Sequence, residues 1–143
     1  MARAPIARKL VLQSRLEEVS RVEEAIIAAA QEYDYNGHDQ FAIKLALEEA
    51  LANAIKHGNQ SDPDKQVVVE FKVDASQFAI TVSDEGIGFD PTGVPDPTLD
   101  ENLEKPFGRG VMLMNTYMNH VSFSPKGNTV TMVRNRTTAD NGT

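Results

Sequence analysis

The sequence has 143 residues, a net charge of −7 and no cysteine. Its length suits one domain with a single core, and the lack of cysteine excludes disulfides, thiolate zinc sites and cysteine nucleophiles. No apolar run approaches the roughly 18 residues of a membrane span, no signal-peptide pattern begins the chain, and the acidic balance argues against a nucleic-acid surface. We expect a single cytoplasmic domain over residues 1–143 that binds neither membrane nor nucleic acid.

The first part of the chain predicts one strand and two helices. Residues 8–13 have the pattern of a short strand, and residues 14–17 (Ser-Arg-Leu-Glu) match a capping box that should start a helix. Apolar residues then recur near the helical period until Asn36-Gly37, which we expect to end this helix. The second helix, with Asp39 as its N-cap, should run through residues 45–58 and end at Gly58, because that stretch is rich in Ala and Leu.

The second part predicts two hairpins. Residues 66–73 and 77–83 alternate between apolar and polar, as half-buried strands do, and residues 120–124 and 129–134 form a second pair. Residues 111–119, between the pairs, have a helical pattern. Strands in consecutive pairs with helices grouped between them favour an antiparallel or mixed sheet covered by helices on one face.

A stretch without periodicity separates the two hairpins. It spans residues 84–110, is rich in Gly and Pro, and is acidic in its middle. Long stretches of this kind inside a domain are usually functional or disordered. We interpret residues 89–108 as a mobile lid, and residues from about 137 as a frayed tail.

A polar stripe marks the second helix. Residues four apart share one helix face, so Glu49, Asn53 and His57 should lie one above the other. Burying a carboxylate, an amide and an imidazole without partners costs on the order of a few kcal/mol for each group. We therefore expect a polar partner against this face, and a magnesium-bound nucleotide fits it.

Three further segments carry possible ligand contacts. Residues 84–89 (Asp-Glu-Gly-Ile-Gly-Phe) follow a strand, residues 108–111 (Gly-Arg-Gly-Val) should open a helix, and residues 127–129 (Gly-Asn-Thr) precede the last strand. A Gly-rich turn into a helix N-terminus suits phosphate. Each feature alone has a simpler interpretation. Gly-x-Gly is common in turns, and Asp84 could be a turn residue at the end of a strand. His57 could be a cation that the helix dipole favours at the C-terminus.

Together these segments resemble the GHKL ATPase superfamily, which includes gyrase, histidine kinases and MutL. Residues 49–58 match its N box, residues 84–88 its G1 box, residues 108–111 its G2 box, and residues 127–129 its last nucleotide-contacting segment. The short chain most resembles bacterial anti-sigma-factor serine kinases of partner-switching systems. The resemblance implies an α+β two-layer sandwich of the Bergerat type, with a mixed, mainly antiparallel sheet covered on one face by three helices.

The resemblance also implies roles for individual residues. Asn53 would be a ligand of Mg²⁺, and Asp84 would accept a hydrogen bond from the adenine amine. The remaining nucleotide contacts it implies are His57, Gly86, Gly88, Gly108, Arg109, Gly110 and Thr129. Glu49 is the candidate general base, because it shares the Asn53 face and the neighbouring Glu48 does not; a plain surface carboxylate is the alternative.

The implied activity is that of an ATP- and Mg²⁺-dependent protein serine kinase. Its partners would be a sigma factor, which it captures, and a STAS-domain anti-anti-sigma protein, which it phosphorylates, and it would form a homodimer. One residue departs from some sporulation-type relatives, since Pro106 stands where they carry an arginine. An ATP-shaped binding module with little or no phosphate transfer, or a signalling ATPase of another pathway, remain alternatives.

Overall fold

Five strands form the sheet on which the rest of the chain packs. A computed structural model describes residues 4–86, 106–125 and 127–137, with the backbone alone for residues 106–109. The strands are β1 (Ile6–Gln13), β2 (Gln66–Val73), β3 (Gln77–Asp84), β4 (His120–Phe123) and β5 (Thr129–Asn135). Their order across the sheet is β1-β2-β3-β5-β4, and all four pairings are antiparallel. The described sheet is thus antiparallel throughout, without the mixed character that we had allowed for.

Alternation along each strand decides which face of the sheet meets the helices. The buried residues of β2 are Val67, Val69, Phe71 and Val73, and the residues between them are exposed or half-buried. Asp74 closes the hairpin to β3, because its Oδ1 accepts hydrogen bonds from the amides two and three residues ahead at 2.8 and 2.9 Å. The predicted hairpin of residues 66–83 is confirmed within one residue.

Three helices form the second layer. They are α1 (Val19–Glu32), α2 (Gly37–Ala52) and α3 (Pro106–Tyr117). A 3₁₀ turn, Leu16–Glu18, precedes α1, and α2 continues directly into a π-helical turn, Asn53–Gly58. None of these described helices combines the length and apolar character that crossing a membrane requires.

Two predicted helix starts were wrong. Ser14 does not cap α1, because its hydroxyl donates to the carbonyl of Lys65 instead, at 3.0 Å. At α2 the N-cap is Asn36, whose side chain accepts a hydrogen bond from the amide of Asp39 at 2.7 Å. Asn36 therefore begins the second helix rather than ending the first. Asp39 is free to use its carboxylate elsewhere.

The core lies between the inner face of the sheet and the helices. Its largest buried side chains come from both layers, with Phe78, Ile80 and Met132 from the sheet and Ile26, Leu47, Leu51 and Met114 from the helices. Each such side chain stabilises the fold by about 1.5–3 kcal/mol. This packing confirms the two-layer α+β sandwich and fixes α2 against the sheet, so that the position of its C-terminal end is set.

The carboxylate of Asp39 joins the start of α2 to the end of β5. It is fully buried and accepts hydrogen bonds from Nε and Nη2 of Arg134 at 3.0 and 2.8 Å. It also accepts hydrogen bonds from the amide and hydroxyl of Thr137 at 2.8 and 2.7 Å. Thr137, where we expected a frayed tail to begin, is thereby attached to α2, and residues 138–143 lie outside the described part of the chain.

Candidate functional site

The C-terminal end of α2 carries two polar side chains of the predicted stripe. Glu49 and Asn53 are both half-buried, on successive turns of the helix. Immediately beyond them the helix widens, since the amide of Asn59 bonds to the carbonyl of Ala54, five residues back, at 2.8 Å. Such π-helical turns are rare and occur frequently at functional sites.

Helix α3 approaches this end of α2 through Gly110. A Cβ added at Gly110 would lie 3.0 Å from Oε2 of Glu49 and 3.2 Å from Nδ2 of Asn53. Few side-chain carbons have contacts this short, so only glycine fits here without displacing a neighbour. The first turns of α3 and the polar stripe of α2 therefore form one wall of a common site.

Asp84, at the end of β3, lies against the end of the π-helical turn. Its carboxylate lies against Gly58, where an added Cβ would collide with it, and its Oδ1 accepts a hydrogen bond from the amide of Gly86 at 2.8 Å. An added Cβ at Gly86 would in turn collide with the carbonyl of Gly58. Gly58 is thus required by the close approach of the Asp84 carboxylate, and Gly86 by the close approach of the Gly58 backbone.

Thr129 lies beside Asp84 on the neighbouring strand. Its hydroxyl donates to the hydroxyl of Ser83 at 3.1 Å, and the amide of Asp84 donates to the carbonyl of Asn128 at 2.9 Å. The pairing of β3 with β5 therefore brings together two residues that are 45 positions apart in the sequence.

The amide of Asn53 suits a bound ligand. Its Nδ2 is buried and has no hydrogen-bond partner among the described residues. A half-turn of the asparagine amide exchanges its nitrogen and its oxygen, and so presents the oxygen at the same place. This oxygen lies one helix turn from the carboxylate of Glu49. Mg²⁺ prefers oxygen ligands, so Asn53 and Glu49 fit this ion.

The other predicted site residues are placed less completely. His57 lies in the π-helical turn with an exposed side chain. The backbone of Gly108 and Arg109 lies in the first turn of α3, which begins two residues earlier than predicted, at Pro106. Gly88 and residues 89–105 of the predicted lid lie outside the described residues, whereas residues 106–108 of that predicted lid belong to α3.

Sequence reasoning missed Asn59, which is fully buried beside the site. It follows Gly58 in a stretch that we interpreted as a loop, and its hydrogen bonds reach three separate elements. The one available signal was a polar residue directly after the helix end, which is also typical of an exposed turn.

Comparisons with known proteins give matches over most of the chain. Residues 12–134 match the family model described as the histidine kinase-like ATPase domain. An anti-sigma F factor from Halalkalibacterium halodurans is 32% identical over 112 residues, which cover 76% of this chain and 75% of that protein. The serine-protein kinase RsbW of Bacillus licheniformis is 30% identical over 154 aligned positions, with 100% of this chain and 95% of that protein covered.

A solved structure has the same fold. The crystal structure of the RsbU and RsbW domains of a Mycobacterium tuberculosis protein superimposes with a TM-score of 0.62 over 94% of this chain. The sequence identity is 15%, so the likeness concerns the fold alone. This chain spans 32% of that protein, about a third of its length.

Proposed function

The chain belongs to the histidine kinase-like ATPase family, and from that premise we propose that it is an ATP-dependent protein serine kinase and anti-sigma factor. Its substrate is a serine of a STAS-type anti-anti-sigma protein, and its captured partner is a sigma factor. The observation that carries the proposal is the contact of Gly110 with both Glu49 and Asn53, because it unites a base and an oxygen ligand beside a helix N-terminus. Two relatives, an anti-sigma F factor and a serine-protein kinase, support the same role.

In this proposal the nucleotide spans the two halves of the site. Asp84 accepts a hydrogen bond from the adenine amine, and Thr129 completes the adenine pocket. Guanine has an acceptor at that position, so a carboxylate there selects adenine by on the order of ten-thousandfold. The free amides at the start of α3 bind the phosphates, as helix N-termini do. Gly88, His57 and Arg109 remain proposed contacts.

Glu49 is the proposed general base for phosphate transfer. The serine oxygen of the substrate forms a bond to the γ-phosphorus while the bond from that phosphorus to the bridging oxygen of ADP breaks. ADP leaves with the electron pair, and Glu49 takes the hydroxyl proton. Positioning and neutralisation of charge supply most of the acceleration, and the base contributes roughly 100-fold or more. Asn53 would hold Mg²⁺, which neutralises phosphate charge when bound.

The decisive experiment compares two neighbouring carboxylates. The purified protein is mixed with γ-labelled ATP and the anti-anti-sigma protein of its own genome, as wild type, Glu49→Gln and Glu48→Gln. We expect label on the antagonist with wild type and Glu48→Gln, and its loss with Glu49→Gln while ATP affinity stays within about threefold. Glu48 is the matched control because it lies next to Glu49 on α2 but off the face that Gly110 contacts.

A second candidate function is an ATP-dependent binding module. It is favoured by Pro106, which opens α3 where some relatives have an arginine near the phosphates. In the labelling experiment this function gives ATP binding and capture of the sigma factor, with an unlabelled antagonist for every variant.

The partner-switching role further implies a homodimer that acts in the cytoplasm, where sigma factors work. Light scattering after size-exclusion chromatography measures the mass of the free protein and of its complex with a sigma factor. A free mass near 31 kDa, roughly twice the 15.7 kDa of one chain, supports the homodimer.

A further inference from the structure

We propose that Asn59 is the positioning residue of the adenine half of the site. Its side chain holds the turn that directly follows Asp84, the last residue of β3, against the end of the π-helical turn. The inference rests on the proposed function, since it assigns a role within the ATP site.

The hydrogen bonds of Asn59 connect three elements. Its Nδ2 donates to the hydroxyl of Ser14 at 2.6 Å and to the carbonyl of Gln66 at 2.9 Å. Its Oδ1 accepts from the amide of Glu85 at 2.7 Å. The end of β1, the start of β2 and the turn after β3 therefore meet at one buried amide.

Asn59 uses three of the four hydrogen-bonding positions of its amide for this purpose. Both protons of its Nδ2 and one lone pair of its Oδ1 have partners, and the residue is 0% exposed. A carboxylate would set a second acceptor against the carbonyl of Gln66, and a serine hydroxyl is too short to reach all three partners. The asparagine is therefore matched to the three bonds.

The bond to Glu85 bears directly on Asp84. Asn59 accepts its hydrogen bond from the backbone amide of Glu85, the residue next to Asp84. The Glu85 carboxylate in turn accepts a hydrogen bond from the amide of Gln66, at the start of β2. Gly58, the residue before Asn59, also lies against the Asp84 carboxylate. Loss of the Asn59 bonds therefore loosens the residues that directly follow Asp84 and Gly58.

The phosphate half of the site has separate supports. Gly110 of α3 lies against both Glu49 and Asn53, and none of the hydrogen bonds of the Asn59 side chain reaches these residues. A defect at Asn59 should thus weaken the binding of adenosine and leave the binding of inorganic triphosphate unchanged. A purely structural defect would weaken both in proportion.

The test measures these two affinities separately. Calorimetry in the presence of Mg²⁺ gives the Kd of adenosine, of inorganic triphosphate and of ATP for wild type, Asn59→Ala and Ser14→Ala. Ser14→Ala is the matched control, because it removes one bond of the same amide and leaves the bond to Glu85 intact. We expect Asn59→Ala to weaken adenosine and ATP about tenfold, as loss of a buried hydrogen bond does, with triphosphate within twofold. Ser14→Ala should leave all three affinities within about twofold.

Each outcome decides the matter. Equal losses of adenosine and triphosphate, or no loss of either, overturn the role of Asn59 while the proposed function stands. A wild type that binds no adenine nucleotide overturns both. If Asn59→Ala does not fold, Asn59→Ser, which leaves a polar atom in the buried position, is measured instead, with the same selective loss expected and an unselective one contradicting it.

Discussion

Gly110 shows how a missing side chain shapes the candidate site. Alanine at this helical position raises helix propensity by about 1 kcal/mol, but its Cβ would lie 3.0 Å from Oε2 of Glu49. We expect Gly110→Ala to change the free energy of unfolding by less than about 1 kcal/mol and to lower the rate of antagonist phosphorylation at least about tenfold, because Glu49 and Asn53 must shift. Thermal melts and initial rates measure the two quantities.

Gly37 provides the control for this substitution. It also lies in a helix, as the first residue of α2, and a Cβ added there meets nothing within 4 Å. Gly37→Ala should leave the phosphorylation rate unchanged. An equal loss of rate in both variants would show that helix backbone entropy, and not crowding at Glu49, causes the effect.

Asp39 is the second position where one residue has a large effect on the free energy of unfolding. Burial alone would raise the pKa of its carboxyl, but hydrogen bonds from Thr137 and Arg134 outweigh burial and lower the pKa. We expect Arg134→Met to destabilise the fold by about 3 kcal/mol, because it leaves a buried carboxylate without its cation. Urea unfolding at pH 7 measures the change.

Arg136→Met is the matched control for that variant, because its Nε is buried without a hydrogen-bond partner among the described residues. Arg136→Met should lower the free energy of unfolding much less than Arg134→Met does. A loss for Arg136→Met as large as that for Arg134→Met would contradict the role assigned to Arg134.

The contribution of the Asp39 carboxylate to stability has a defined pH dependence. Because its pKa is lowered in the fold, the stabilisation is present above the usual value of 3.8 and is lost as the pH falls below it.

At the scale of elements, the strands were predictable and the helix starts were not. The alternation of apolar and polar residues over 66–73 reflects burial on one face of a pleated sheet, so the strand could be predicted from the sequence alone. Capping depends on where a side chain can reach, and Ser14 reached Lys65, 51 residues away, instead of its own helix. Asn59 was missed for the same reason, as its bonds join residues 7 to 45 positions away.

The cap of α2 can be tested directly. Replacing Asn36 with alanine removes the acceptor for the amide of Asp39, and we expect a loss of about 1 kcal/mol in the free energy of unfolding. Asn36→Asp keeps an acceptor and should remain within a few tenths of wild type. Urea unfolding with an unchanged m-value measures both. Equal losses in the two variants would mean that the side chain does not act as a cap.

At the scale of the whole molecule, the site is the meeting point of four elements that contribute one or two residues each. The end of α2 gives Glu49 and Asn53, β3 gives Asp84, β5 gives Thr129, and α3 gives Gly110. The sequence motifs predicted a role for each of these residues separately, from the resemblance to a nucleotide-binding family. That Gly110 touches Glu49 and that Gly86 touches Gly58 follows only from the packing of the helices on the sheet.

Two carboxyl side chains, Glu23 and Glu48, meet where α1 packs on α2. Burial, together with a hydrogen bond to Glu48 and the charge of that residue, raises the pKa of Glu23 to about 7, although Lys44 opposes the shift. A carboxyl with a raised pKa in the fold binds its proton more tightly than in the unfolded chain. Its contribution to stability is therefore complete below pH 4.5 and is lost as the pH rises through about 7.

We therefore expect Glu23→Gln to flatten the fall in stability between pH 5 and pH 8. The variant carries no ionisable group at this position, so its stability relative to wild type should rise steadily over that interval. Urea unfolding at half-unit steps of pH measures the difference, with Glu24→Gln, an exposed neighbour on α1, as the control. A difference in stability between Glu23→Gln and wild type that stays constant with pH would mean that the pKa of Glu23 is not raised in the fold, and that α1 and α2 meet without a shared proton.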